Sequence, residues 1–247
     1  MQSAEHWLIL SLTRLEYNYK DLLQADRRIS ERWKRNKIRF KFTKDKSILV
    51  AGTLNYINKI NNLGTKKVFA IDQSKPKILK LNKFNNIVFN KTNYKKIYFE
   101  KNKFDFIFCN GVLSHLTYWK KTLKEFQRLL KPGGKLWLNL FGDSKFRRLP
   151  INISKKINKK EKDIIKKILF LEGWNIQKIN YIQNMFFWNN RVLFKKKKIE
   201  KYFSKVGFKK INFLKRGIDT DLSEKVFKKK SLRSLYNDGD LRYILEK

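Results

Sequence analysis

Cysteine occurs once, at Cys109, histidine and methionine twice each, and proline three times in 247 residues. A single cysteine cannot close an internal disulfide, so nothing here asks for an oxidising compartment, and a cytoplasmic setting is expected. Two histidines and one cysteine cannot build a zinc site of the usual kind, and no metal ligands are assigned. Three prolines and ten glycines leave no Pro/Gly-rich linker between independent domains. No run of about eighteen apolar residues occurs, so no membrane span is expected. The opening residues carry Glu5 and His6 ahead of a short apolar patch and do not read as a signal peptide. No glycine-rich loop followed by Lys-Ser or Lys-Thr supports a phosphate-binding loop, and no internal repeat is found.

Acidic residues are scarce too: 21 Asp and Glu against 59 Lys and Arg, a net charge of +38. A surface this basic binds polyanions non-specifically and in a salt-dependent way. The basic residues are spread over the whole chain, however, and an AT-rich genome also produces a lysine-, asparagine- and isoleucine-rich composition. Charge alone therefore does not name a substrate. Hydrophobic residues make up 42% and aromatic residues 15% of the chain, ample for a buried core.

The most informative stretch runs from Phe104 to Phe141. Phe104 to Cys109 is a short apolar run of the kind shown by a strand buried on both faces. Asn110 and Gly111 break it, and Tyr118 to Leu130 then carries Trp119, Leu123, Phe126, Leu129 and Leu130 at helical spacing. Lys131-Pro132-Gly133-Gly134 cannot continue a helix, and Lys135 to Phe141 is strand-like again. Strand, helix, stop and strand make one crossover unit of a parallel sheet.

Upstream, Ser47 to Ala51 reads as a first strand and Gly52 as the turn after it. Tyr56 to Leu63 reads as a short helix stopped by Gly64. Lys67 to Ile71 reads as a second strand ending on Asp72, Lys75 to Leu81 as a helix, and Asn86 to Phe89 as a third strand. Gly52 and Asp72, twenty positions apart, then face each other across the crevice at the carboxyl ends of a doubly wound sheet. A side chain at Gly52 would keep a ligand off the backbone, and an acid at Asp72 can accept bonds from paired hydroxyls.

Phe104-Asp105, Val112-Leu113-Ser114-His115-Leu116 and Leu130-Lys131-Pro132-Gly133-Gly134 stand in an order and spacing that resembles the late core of the S-adenosylmethionine (SAM)-dependent methyltransferases with a Rossmann-like sheet. The resemblance runs from about Ser47 to Phe141. It implies an α/β fold: a seven-stranded, mostly parallel sheet with an antiparallel last strand, flanked by helices. It further implies a helical segment over 1–45 packing on a methyltransferase-like domain over 46–247, with an insertion at about 144–198 before the final strands. The implied cofactor is S-adenosyl-L-methionine. Ala51, Gly52, Thr53, Asp72, Gln73, Thr92 and Asn93 would bind it, with Gly52 under its methionine part, Asp72 holding the ribose, and Asn93, after Thr92, either accepting from the adenine amino group or serving as an ordinary turn asparagine. Asn110 and Gly111 would line the site beside the transferable methyl. His115 matches the family histidine and is the best general-base candidate in the chain, though a lone histidine at an apolar helix start is often structural.

The first motif departs from the family: Gly52-Thr53-Leu54-Asn55-Tyr56 has Leu54 and Tyr56 where glycine is preferred. That departure keeps a catalytically inactive binding or scaffold module open beside the enzyme. The acceptor is expected to be a small molecule rather than RNA or DNA, which the net charge keeps as the alternative. Cys109-Asn110-Gly111-Val112 lacks the Asn/Asp-Pro-Pro-aromatic motif of adenine and glutamine nitrogen methylation. It also lacks the proline that precedes the thiolate of the cytosine-C5 enzymes. A nicotinamide-dependent dehydrogenase fits the Gly52–Asp72 spacing but not the Pro-Gly-Gly stop.

Elsewhere, Ser3 opens a helix with Leu8, Leu12, Leu15, Tyr19, Leu22 and Leu23 at spacings of three and four, and Arg27 to Lys41 reads as a basic connector or a continuation of that helix. Within the insertion, Glu161 to Leu171 is a helix with Ile164, Ile165, Ile168 and Leu169 on one side. Trp174, Tyr181, Met185, Phe186, Phe187 and Trp188 follow, as a substrate pocket or a hydrophobic cap over a sheet edge. Ile199 to Val206, stopped by Gly207, is the next helix. Lys210 to Leu214 and Leu241 to Leu245 are the final strands, and Asp221 to Glu224 opens a short helix. Arg216-Gly217-Ile218-Asp219-Thr220-Asp221 and Asp238-Gly239-Asp240-Leu241-Arg242 read as salt-bridged turns, or Arg216 or Asp219 contacts a polar acceptor.

Overall fold

The computed structural model describes residues 27, 29–38, 44–52, 57–62, 64–73, 86–174, 179, 191–214 and 239–247. Seven strands form one sheet: β1 Ser47–Ala51, β2 Lys67–Asp72, β3 Ile87–Lys91, β4 Phe104–Asn110, β5 Leu130–Phe141, β6 Lys210–Phe213 and β7 Asp240–Glu246. Their order is β3-β2-β1-β4-β5-β7-β6. The first five strands run parallel, and β7 is antiparallel to both of its neighbours, β5 and β6. The expected mostly parallel, seven-stranded sheet is the one found.

The central strands are apolar over Ile48 to Ala51, Phe106 to Cys109 and Leu136 to Leu138 because helices cover both faces. Side chains alternate between two cores. Leu49, Ala51, Ile107, Cys109, Leu136 and Leu138 enter one, while Ile48, Val50, Phe106, Phe108 and Trp137 enter the other. The first core is closed by helix α2, Trp119–Leu129, through Leu123, Phe126 and Leu129, and by α5, Lys196–Val206, through Ile199 and Phe203. The second is closed by α1, Ile57–Asn61, through Ile57 and Ile60. It is also closed by residues 29–35, which are helical within the basic stretch that opens at Arg27. Ile29 and Trp33 are buried there, with the Trp33 ring edge-on to Trp137 at 6.5 Å.

The chain adds β2 and β3 on one side of β1, then returns to place β4 on the other side. That reversal opens a crevice above the carboxyl ends of β1 and β4, where ligands of such sheets bind.

Two features differ from the sequence expectation. The Pro-Gly-Gly segment is no separate turn: β5 begins at Leu130, directly after α2. Phe104 faces Leu130 and Phe106 faces Lys135, so Lys131 to Gly134 bulge out of the ladder. Gly133 takes φ +73 in the bulge. The Lys131 ammonium reaches the Asp105 carboxylate at 2.9 Å, and the same carboxylate accepts from the Ser47 amide at 3.1 Å. The aspartate thus ties three strand ends together.

The second difference is in the insertion. A helix the sequence reading omitted, α3, spans Lys145–Lys156, capped by the Ser144 hydroxyl and holding Pro150 inside it. Helix α4, Lys159–Leu171, starts two residues before Glu161 because Asn158 and Glu161 cap each other's amides. Its apolar side is not a buried face: Ile164 is 54% and Ile168 51% exposed, while Ile165 and Leu169 are half-buried. The expected helices at Ser3 to Ala25, Lys75 to Leu81 and Asp221 to Glu224 lie outside the described residues. So do the aromatics from Tyr181 to Trp188 and the turn at Arg216 to Asp219.

Candidate active site

Gly52 sits at the mouth of the crevice with φ +62, a left-handed conformation that side chains resist. Its amide donates to the Ile71 carbonyl at 2.8 Å, joining the end of β1 to the end of β2. A β-carbon here would stand 2.4 Å from Val112 Cγ2, 3.3 Å from the Tyr94 hydroxyl and 3.8 Å from Asp72 Oδ2. Glycine is therefore required by the protein's own packing, not only by the approach of a ligand. The same distances bring Asp72 beside Gly52, as the sequence spacing predicts.

Asp72 is 5% exposed at the last position of β2, and its carbonyl accepts from the Thr92 amide at 2.9 Å. Tyr94 was not singled out in the sequence. Fully buried, it donates its hydroxyl to the Ile71 carbonyl at 3.0 Å, and its own carbonyl accepts from the Thr122 hydroxyl at 2.8 Å. It braces the loops after β1 and β3 against α2. A tyrosine one residue beyond the polar Thr92-Asn93 turn is the sole signal the sequence offers for it.

Thr92 and Asn93 are occupied by their own turn. The Thr92 hydroxyl reaches the Asn93 and Lys96 carbonyls, and Asn93 Oδ1 accepts from the Lys95 and Lys96 amides at 3.1 and 3.4 Å. Gln73 Nε2 donates to the Tyr118 hydroxyl at 2.8 Å, while Lys95 lies over the Tyr118 ring. Burial raises the Tyr118 pKa, partly offset by that bond. Thr53 lies outside the described residues, as do Leu54 and Tyr56.

On the other side of the crevice, Asn110 ends β4 level with Asn139 of β5. Gly111 follows at φ +83 with its amide on the Asn139 carbonyl at 3.0 Å, and a β-carbon there would meet nothing within 4 Å. Its backbone conformation, not crowding, asks for glycine. A 3-10 turn, Val112–His115, then carries Val112 back towards Gly52. Half-buried His115 meets Phe141 edge-on at 5.1 Å, at the end of β5. Arg147 and Arg191 hold their guanidinium carbons 4.9 and 5.8 Å from the centre of the same ring. The Asp240 carboxylate pairs with both Arg147 and the buried Arg242, so the sequence's Asp-Gly-Asp-Leu-Arg turn is salt-bridged at this position. The cluster of His115, Phe141, Arg147 and Arg191 was not legible, because its members come from three segments.

Cys109 is fully buried, and desolvation pushes its thiol up to about 12, so no thiolate is available at neutral pH.

In solved structures, a SAM-dependent methyltransferase from Archaeoglobus fulgidus superposes with a TM-score of 0.53 at 15% identity, covering 93% of this chain and all of that one. A methyltransferase solved in complex with the Haloferax volcanii Trm112 methyltransferase activator gives 0.54 at 13% identity, covering 90% and 93%. The fold is that of the SAM-dependent methyltransferases with a Rossmann-like sheet. Residues 49–138 match the family model described as a methyltransferase domain. A tRNA U34 carboxymethyltransferase from Campylobacter curvus (strain 525.92) is 33% identical over 101 residues, 38% of this chain. The match spans about a third (34%) of that relative's length.

Proposed function

We propose that the protein is a SAM-dependent methyltransferase acting on a small-molecule acceptor. The observation that carries this reading is the meeting of Gly52 and the Asp72 carboxylate, 3.8 Å apart by the β-carbon measure, above the reversal point of the sheet. The donor set fits a ribose: a buried carboxylate offers acceptors only, as paired hydroxyls require. Asp72 and Gln73 hold the ribose, Ala51 and Gly52 lie along the methionine part, and Thr92 and Asn93 border the adenine. Asn110 and Gly111 line the opening on the acceptor side.

SAM supplies a methyl group activated by its bond to a positively charged sulfur. The chain's own task is to hold an acceptor in line with that carbon, which supplies most of the acceleration. His115, at the turn after β4, is positioned to take a proton from an acceptor that must lose one. An acceptor already carrying a lone pair needs no such help.

Calorimetry tests the cofactor assignment: SAM and its demethylated product should both give saturable heat. No heat with either would favour a binding module without catalysis. The acceptor is tested separately by transfer of labelled methyl to small-molecule fractions and to bulk tRNA. The likeness to a tRNA-modifying relative and the net charge of +38 make tRNA the comparison of choice. Label found in tRNA alone would overturn the small-molecule assignment and leave methyl transfer standing.

A further inference from the structure

Eight large apolar side chains are exposed among the described residues. Seven of them, Leu149, Ile153, Ile164, Ile168, Phe170, Leu171 and Trp174, fall on α3, α4 and the turn after it. The eighth, Tyr98, stands alone. Scattered surface hydrophobics are ordinary, but a concentration of this kind marks a contact surface. Residues 145–174 also hold ten Lys and Arg against three Asp and Glu.

The two kinds of residue share the same stripes. On α4, Lys160, Ile164, Lys167, Ile168 and Leu171 recur at spacings of three, four and seven and lie on one side, with Leu171 81% exposed. On α3, Lys145, Leu149, Ile153 and Lys156 repeat the pattern, and all four are exposed. A solvated helix would keep its lysines and lose its leucines, and a core helix would do the reverse. Exposed aliphatics bracketed by lysines on successive helices suit a surface that is apolar inside and anionic at its rim.

We infer that α3 and α4 dock on an anionic lipid surface, with the isoleucines and leucines entering the acyl boundary and the lysines meeting the headgroups. A second copy of the chain fits less well, since the docked faces would bring these cations against one another. Single-stranded nucleic acid fits less well because five of the seven side chains are aliphatic and offer no ring for a base to stack on. The inference is independent of methyl transfer, as both helices follow the matched segment 49–138.

Flotation of the full chain with phosphatidylcholine vesicles containing about a third phosphatidylglycerol tests it. The charge-neutral pair Ile164→Gln/Leu171→Gln should lower partition about tenfold or more, because surface changes at exposed positions leave the fold intact. Lys160→Gln/Lys167→Gln should weaken it too, while Lys101→Gln/Lys121→Gln, equal in charge but elsewhere, should not. The inference is overturned if the isoleucine–leucine pair floats like the parent, since charge alone would then hold the vesicle. It is equally overturned if the parent does not float. Sedimentation as a dimer that the same pair disperses, or loss of bulk RNA binding by that pair, would assign the face to another partner and overturn it.

Discussion

A β-carbon on Gly52 would lie 2.4 Å from Cγ2 of Val112, so the loop after β1 and the turn after β4 are built in direct contact. Gly52→Ala brings both that overlap and a left-handed φ of +62. It should cost about 2 kcal/mol or more in urea unfolding. Val112→Ala in the same background should recover part of the loss by clearing the space. A Gly52→Ala protein as stable as the parent would show that the two loops do not touch.

Asp72→Asn keeps the size of the side chain and removes its charge. Hydrogen bonds to a charged acceptor contribute about 1.5–3 kcal/mol, so affinity for the demethylated cofactor should fall about tenfold to a hundredfold. Calorimetry measures it, with an unchanged thermal midpoint as the control for folding. Unaltered affinity would remove the ribose assignment.

With its thiol pushed up to about 12 by burial, Cys109 should resist iodoacetamide and disulfide reagents in the native state at pH 8. It should react only on unfolding, at the rate set by global opening. Fast native labelling would mean that the strand end is open to solvent.

Glu125 accepts from Arg128 at 2.8 and 3.0 Å and from the Ile97 amide at 3.2 Å, while Arg128 also donates to the Ile97 and Phe99 carbonyls. The Arg128 bonds hold the Glu125 carboxyl below its usual 4.5. A carboxylate whose folded pKa is depressed stabilises the fold above the unfolded value. That stabilisation is complete above about pH 5 and is lost as pH falls through the depressed value. Both partners are partly exposed, so screening keeps the effect below about 1 kcal/mol. Glu125→Gln should flatten the acid side of the stability curve below about pH 5. An unaltered curve would mean the pair titrates alike in both states.

The sheet was largely readable in advance. Ser47 to Ala51 matches β1 to the residue, and Gly207 ends α5 in the left-handed conformation expected of it, because apolar runs and glycine stops act locally. Helix α3 was not readable: Pro150 argues against a helix, and the arginines beside it gave no apolar period. What ties α3 to the sheet is distant: Arg147 pairs with Asp240, ninety-three positions away. Tyr94 and the ring of charge around Phe141 escaped for the same reason.

Composition and local pattern alone determined that this chain forms an α/β sheet, where most of its strands lie, and that Gly52 and Asp72 meet at its crevice. Strand periodicity and turn chemistry need only near neighbours to act. Only the tertiary structure decided that Gly52 makes room for Val112, that Tyr94 braces the loops after β1 and β3 against α2, and that the apolar side of α4 faces outward. Each of these depends on which segments the sheet order brings together, and contacts between distant segments leave no mark on the spacing of residues along the chain.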